Sequence, residues 1–358
     1  MKFKIAGGCG EHGRNCFYVE AGTTTFLVDC GVMAGEVGGG YPHLSEEEIK
    51  NVNYIFLTHS HADHSAAIPW MVKNGFEGTV VATKHTLGQL PFEVNKKLSL
   101  ESFCKEKQGK LEQLEITYGY SGHCLGSVWY EFKSEGKTIL FSGDYTEDTF
   151  IHKTEKIRNR YADLAIVDSA YGYDETSFET YCEKLVQEVA RYKENYPMIL
   201  MTVPKYGRGL ELYQLLKENL PKLRFAGDTH FLKQCAEVTD ENPWFKKELD
   251  VQEIQLYEKN IDADIVFVSD PQLKSASAQK IATQVLENGY AIMTGTVEVG
   301  NMSHQLIQEG KMSLLRFPVH LNHVQYKKIV EQNQFKQTIA YHSPKIKPEE
   351  SYKIGVEI

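Results

Sequence analysis

Four side chains able to hold a metal ion, His59, His61, Asp63 and His64, stand within six residues, directly after the apolar run Val52-Asn53-Tyr54-Ile55-Phe56-Leu57-Thr58. The run reads as a strand that ends in a ligand cluster. Side chains alternate faces along an extended backbone, so His59 and His61 leave the same side and can converge on one ion. Asp63 and His64 occupy the following turn, where a second ion would sit. Neutral imidazole suits zinc, and a carboxylate between two sites helps hold a pair of ions roughly 3.5–4 Å apart. This mixture of donors points to hydrolysis and away from a zinc finger. The bland alternative is a polar loop in which Asp63 caps a helix and the histidines are solvated.

Two later strand ends offer what the first cluster lacks. In Tyr120-Ser121-Gly122-His123-Cys124-Leu125-Gly126-Ser127 the glycines allow a tight loop that aims His123 inward, and Phe141-Ser142-Gly143-Asp144-Tyr145 ends a strand with a carboxylate. A lone His in such a loop is more often a surface residue, and a lone Asp after a strand more often a turn residue. Their order behind the first cluster is what raises them.

The elements that must position these groups change character along the chain. The first 170 residues read as short strands, at 2–5, 15–20, 24–29, 54–58, 79–83 and 114–118. A hairpin follows, with strands 127–133 and 137–142 turning around Glu135-Gly136, and then a buried strand 163–168. From about Tyr173 helices and strands alternate: helix 177–195, with Thr176 and Glu179 spaced as a capping box, strand 198–203, helix 210–220, strands 223–227 and 264–270, helix 276–288 and strand 290–294. That alternation is the grammar of a small doubly wound α/β module. A strand near 313–317, a helix near 324–332 and a strand 337–341 close the chain, the last able to return to the first half.

Composition sets the bounds. At 358 residues, 42% hydrophobic and 24% charged, the chain has room for one large or two medium cores. No apolar run approaches the ~18 residues of a membrane helix, and Met1-Lys2-Phe3-Lys4-Ile5 lacks a signal peptide's apolar stretch, so a cytoplasmic location away from membranes is the expectation. Seven scattered cysteines without a Cys-x-x-Cys pair read as reduced thiols. The net charge of −9 argues against a broadly basic coat for nucleic acid but leaves room for a local positive groove.

The order His-x-His-x-Asp-His, then His123, then Asp144 resembles the metallo-β-lactamase superfamily, and Asp29 in Val28-Asp29-Cys30-Gly31 matches its early structural aspartate. The second half resembles the β-CASP branch of nucleases. The carrying segments are Gly10-Glu11-His12-Gly13-Arg14-Asn15, Asp168-Ser169-Ala170-Tyr171-Gly172, Pro204-Lys205-Tyr206-Gly207-Arg208-Gly209-Leu210-Glu211-Leu212, and the late histidines His320 and His342. The resemblance implies an α/β class fold: an αββα sandwich in two parts, 1–172 and 301–358, around a doubly wound insert at 173–300, with the active site in the cleft between them. It also implies two zinc ions, one on His59, His61 and His123, the other on Asp63, His64 and His342, with Asp144 bridging. A shared hydroxide would be the nucleophile. His320 would be the general acid, oriented by Asp168; Asp63 joins this catalytic set, Asp29 supports the metal loop, and Lys205, Arg208 and Ser169 contact substrate, although Lys205 and Arg208 read equally well as solvated charges of a helix-capping loop. Manganese and iron stay open as the metal.

The implied function is a phosphodiesterase acting on RNA, with single-stranded DNA and a homodimer left open. A hydrolase of a small ester, thioester, lactone or nucleotide is the first alternative, and a non-catalytic scaffold the second. The chain departs from the branch at His320-Leu321-Asn322-His323, where an Asp is usual at 322, at Ser343-Pro344 after the last histidine, and at Asp270-Pro271-Gln272-Leu273-Lys274-Ser275, where a Gly-rich segment is usual. His323 competes with His320 for the acid role. His12, His43, His85, His152, His230 and His304 read as surface or structural residues, with His12 and His85 nearest to lining the site.

Overall fold

The computed structural model describes residues 1–36, 39–246, 251 and 254–358. The chain forms two units, one of Met1–Glu147, Thr154–Glu175 and His320–Ile358, the other of Asp148–Lys153 and Thr176–Val319.

In the first unit, alternation of apolar residues builds β1 (Lys2–Gly7), β2 (Cys16–Ala21), β3 (Thr24–Val28), β4 (Tyr54–Phe56), β5 (Thr79–Ala82) and β6 (Lys97–Ser99). Between them lie α1 (Glu46–Asn51), α2 (Ala62–Ser65), α3 (Ile68–Lys73) and α4 (Lys84–Gln89), and after β6 comes α5 (Leu100–Phe103). These helices correct the reading of the first half as strands alone. A second sheet begins with β7 (Gln108–Leu111), β8 (Leu114–Tyr120), β9 (Val128–Ser134), β10 (Lys137–Phe141) and β11 (Tyr161–Asp168).

The second unit contains α6 (Phe178–Asn195), β12 (Ile199–Thr202), α7 (Arg208–Asn219), β13 (Phe225–Gly227), α8 (Thr229–Ala236), β14 (Gln255–Leu256), β15 (Ile265–Val268), α9 (Ala276–Val285), β16 (Tyr290–Met293), α10 (Met302–Gln308) and β17 (Met312–Leu314). Its strands pair in parallel in the order β14-β13-β15-β12-β16-β17. One face of β12 puts Leu200 into a cluster with Ala278, Ala282 and Leu306 of α9 and α10. The other face of the sheet meets Tyr213 of α7 over Phe225 and Phe231 of α8 over Phe267, so helices cover both sides as in a doubly wound fold. Ser177 is the N-cap of α6, its side chain accepting from Thr180 N, which displaces the expected Thr176–Glu179 box by one residue.

Glu211 in α7 organises this unit from within. It is buried, takes His152 Nδ1 at 2.7 Å and His152 N at 2.9 Å, and accepts from Phe150 N and Ile151 N as well. Burial pushes its carboxyl up, but the His152 ring and the backbone donors outweigh that and hold it below the usual glutamate value of 4.5. Glu211→Ala is expected to cost about 3–5 kcal/mol by leaving His152 and three amides unpaired. Because the folded pKa is depressed, the wild-type contribution is whole above pH ~4.5 and shrinks as the pH falls through the folded value. Urea unfolding of both proteins at pH 7 and at pH 4 should show the gap narrowing in acid; a gap that does not move with pH would count against an ionised Glu211.

The chain then returns to the first unit through α11 (His323–Glu331), β18 (Gln334–Tyr341), α12 (Ser351–Ile354) and β19 (Val356–Glu357). The strand orders are β19-β1-β2-β3-β4-β5-β6 and β18-β11-β10-β9-β8-β7. The two sheets face each other through aromatic rings: Phe132 lies 4.7 Å from Phe26 and 4.8 Å from Phe56, and Phe17 lies 5.6 Å from Phe141 and 5.4 Å from Tyr341. Behind the first sheet, Ile49 of α1 and Ile68 and Met71 of α3 pack on Leu27 and Ile55; behind the second, Ile329 of α11 packs on Leu140 and Ala165. This is the α/β/β/α layering, and it brings the carboxyl ends of β4, β10, β11 and β18 to one place. No helix among the described residues is long and apolar enough to cross a membrane.

Candidate metal centre

The first cluster leaves β4 as its sequence suggests. His61 stands at the N-cap of α2 and Asp63 lies inside its first turn, so Asp63 does not cap. The His59 and His61 rings lie 4.6 Å apart, and His123 sits 4.9 Å from the first and 5.0 Å from the second. The His123 loop is pinned by Cys124 N donating to Ser127 Oγ at 3.0 Å and by Ser121 N donating to Ser127 O at 3.1 Å.

Asp144 follows β10 through Gly143, whose φ of +56° and contacts with Val128 O and Thr58 leave no space for a side chain. Its two oxygens face different imidazoles. Oδ2 lies 3.6 Å from His59 Nε2 and 3.5 Å from His123 Nε2; Oδ1 lies 3.2 Å from His64 Nε2 and 3.2 Å from His342 Nδ1. Asp63 Oδ2 is 3.1 Å from His342 Nε2. Candidate ligand atoms therefore fall into the sets His59, His61, His123, Asp144 and Asp63, His64, His342, with an overlapping third of Asp144, Asp168, His320 and His342, the atoms of each within 4.8 Å of one another.

Parallel pairing of β11 with β18 sets Asp168 opposite Tyr341 and so delivers His342, which leaves the strand at φ +70°. Tyr341 Oη donates to Asp144 Oδ1 at 3.1 Å. Asp29 holds the loop from behind: it accepts from Thr58 N at 2.7 Å and pairs with His64 Nδ1 at 2.7 Å, which turns His64 Nε2 toward Asp144. Asp29→Ala is expected to weaken metal binding about 10- to 100-fold, read by chelator competition; unchanged affinity would remove this supporting role.

The two carboxylates stay ionised among the imidazoles. Burial pushes Asp144 up, but His64, His342 and His320 outweigh it and hold its carboxyl well below the usual range. Asp63 is likewise held low, against burial, by His64 and His342. Burial disfavours charge on His64 and His342, yet Asp144 and its neighbours raise both, His342 to about 10. His59 goes the other way, driven down by burial and by His64, so it is the neutral donor that a metal takes. Its Nε2 is buried without a hydrogen-bond partner, which costs free energy unless a ligand satisfies it.

His320 lies beside this centre with Nδ1 2.8 Å from Asp168 Oδ2, and its ring is 4.9 Å from His123 and 5.2 Å from His342. Asp168 is fully buried and also accepts from Tyr145 N and Ala170 N, both at 3.0 Å. His323, the rival acid, instead opens α11 with its ring 5.2 Å from Tyr173. Asn322 caps that helix through a capping box with Gln325, which gives the amide a structural task. Ser169 Oγ is buried without a hydrogen bond, while Lys205 follows β12 as an exposed residue and Arg208 opens α7 in the second unit.

Two contributors were missed in the sequence: Asn15 places Nδ2 2.8 Å from His64 Nε2, and Tyr341 bonds Asp144. His12, expected near the site, stacks on His342 at 4.5 Å. Arg14 of that segment is occupied by Glu11 at 2.8 Å and Glu36 at 2.6 Å.

Residues 9–175 match the sequence profile of the Metallo-beta-lactamase superfamily. "Endoribonuclease ysh1" of Schizosaccharomyces pombe is 27% identical over 247 residues, 61% of this chain and 32% of that protein. "Transcription termination factor FttA" of Methanosarcina mazei is 28% identical over 255 residues, 62% and 40% of the two chains. "Cleavage and polyadenylation specificity factor 73" of Drosophila melanogaster is 24% identical over 252 residues, 61% and 36%. The matches span about a third of the length of these curated relatives. A solved protein of unknown function from Enterococcus faecalis shares the fold, with a TM-score of 0.62 at 13% identity over 98% of this chain and 96% of that one.

Proposed function

We propose, for a chain that belongs to the metallo-β-lactamase superfamily and its β-CASP branch, that it is a two-zinc phosphodiester hydrolase acting on RNA. The observation that carries this reading is the division of Asp144, one oxygen toward His59 and His123 and the other toward His64 and His342. In this reading His59, His61 and His123 would hold one ion and Asp63, His64 and His342 the other, with Asp144 available to both. Two divalent ions so held lower the pKa of water and stabilise charge on a phosphate oxygen.

The remaining work falls to protein groups. With Nδ1 committed to Asp168, His320 has Nε2 left to give its proton to the leaving oxygen, and Asp168 fixes the tautomer and steadies the imidazolium. Lys205, Arg208 and Ser169 are assigned to substrate contact on the resemblance alone. The scaffold alternative is disfavoured because every expected ligand position is filled. The relatives' printed names, endoribonuclease among them, favour RNA over a small ester.

The test is hydrolysis of a 5′-labelled single-stranded RNA and of bis(p-nitrophenyl) phosphate by metal-analysed protein, beside His64→Ala. RNA cleavage that disappears in the variant is the expected result. Turnover of the small diester with RNA left intact would sink the RNA reading and keep only the metal centre.

A further inference from the structure

Tyr173 is 61% exposed, a large aromatic ring at the end of the turn that carries Asp168. The turn is pinned by Gly172 N to Ser169 O at 2.7 Å, Asp174 N to Tyr171 O at 3.2 Å and His323 N to Asp174 O at 2.8 Å. Tyr171, two residues earlier, lies 5.4 Å from the His320 ring. The His323 ring packs against Tyr173 in a T-shaped pair, 5.2 Å away at 69°. Between the two tyrosines Gly172 has φ +61°, and the Lys345 stem lies 3.0 Å from where its Cβ would be. Among the described residues no carboxylate pairs with Lys345.

We infer that Tyr173, packed against His323 and flanked by Lys345 across the Gly172 turn, is a stacking step for one base of a single-stranded substrate on the His320 side of the centre. The inference rests on the phosphodiesterase reading and names how the strand is held. An exposed ring offers its face to any base, and an exposed ammonium whose stem packs on the Gly172 turn takes the adjoining phosphate. Those are the two parts from which sequence-tolerant single-strand sites are built. The glycine matters because a side chain at 172 would be strained at φ +61° and would crowd the Lys345 stem. A duplex would not serve, since its bases are already stacked.

Fluorescence anisotropy of the full chain with a labelled 2′-O-methyl oligouridylate, checked intact by gel, tests this. Tyr173→Ala is expected to weaken binding about 5- to 150-fold. Tyr173→Trp should keep wild-type affinity, which a merely structural role would not allow. Lys345→Ala should reduce the slope of log affinity against log salt by about 0.7. Tyr173→Ala binding like the wild type, Tyr173→Trp failing as badly as Tyr173→Ala, or wild-type protein that does not bind the strand at all would each overturn the inference. Its fate is separable from that of the catalytic reading. Wild type that binds the strand through Tyr173 but leaves RNA uncut fails the catalysis alone, whereas RNA cleavage with no effect at Tyr173 fails the stacking step alone.

Discussion

Asp144→Asn is expected to lose both ions together and to lower hydrolysis by roughly 10³-fold or more. The carboxamide keeps the size of the side chain but has one acceptor oxygen where the carboxylate has two. Asp144 divides those two oxygens between the His59 and His123 side and the His64 and His342 side. One side must then face an N–H group that repels a cation. Metal ions contribute several kcal/mol of charge stabilisation, and each 1.36 kcal/mol is about tenfold in rate, which sets the size of the loss. Elemental analysis beside a diester assay checks it. A variant that keeps two ions per chain would show that Asp144 does not join the two sets.

His320→Ala should leave the metal content intact and lower kcat about 10²- to 10⁴-fold, the range for loss of a positioned general acid. The atom removed is Nε2, since Nδ1 is taken by the buried Asp168. Asp168→Asn should give the same pattern, because an amide at that place offers an N–H to Nδ1 and favours the wrong tautomer. Asp144, Asp168, His320 and His342 also present donor atoms within 4.8 Å of one another, so the opposite outcome is concrete. Metal lost on His320→Ala would make this histidine a ligand and leave the leaving group without its acid.

How much of this could be read from the chain depended on distance along it. The His59 to His64 cluster and the strand before it were legible because alternation and the turn are local. His123 and Asp144 became legible only through their order and the family resemblance. Tyr341 was not, because its bond to Asp144 exists only once β18 pairs with β11, more than 160 residues away in sequence. The short helices α1 to α5 were missed for a related reason. Helices of four to six residues hold little more than one turn, too few for an apolar stripe to repeat. The α6 cap was misplaced by one residue because Thr176 and Ser177 are both good caps, and the structure uses Ser177. Asn322, where the branch usually has an acid, caps α11 through a capping box with Gln325, while His320 Nδ1 lies 2.8 Å from Asp168 Oδ2.

The most direct test of the central claim is an anomalous difference map from crystals of protein purified without chelator, collected at the edge of the metal found by elemental analysis. The account predicts two peaks roughly 3.5–4 Å apart. His59, His61 and His123 should surround one, Asp63, His64 and His342 the other, with an oxygen of Asp144 on each. A single peak, or a second peak held by Asp168 and His320, would contradict it.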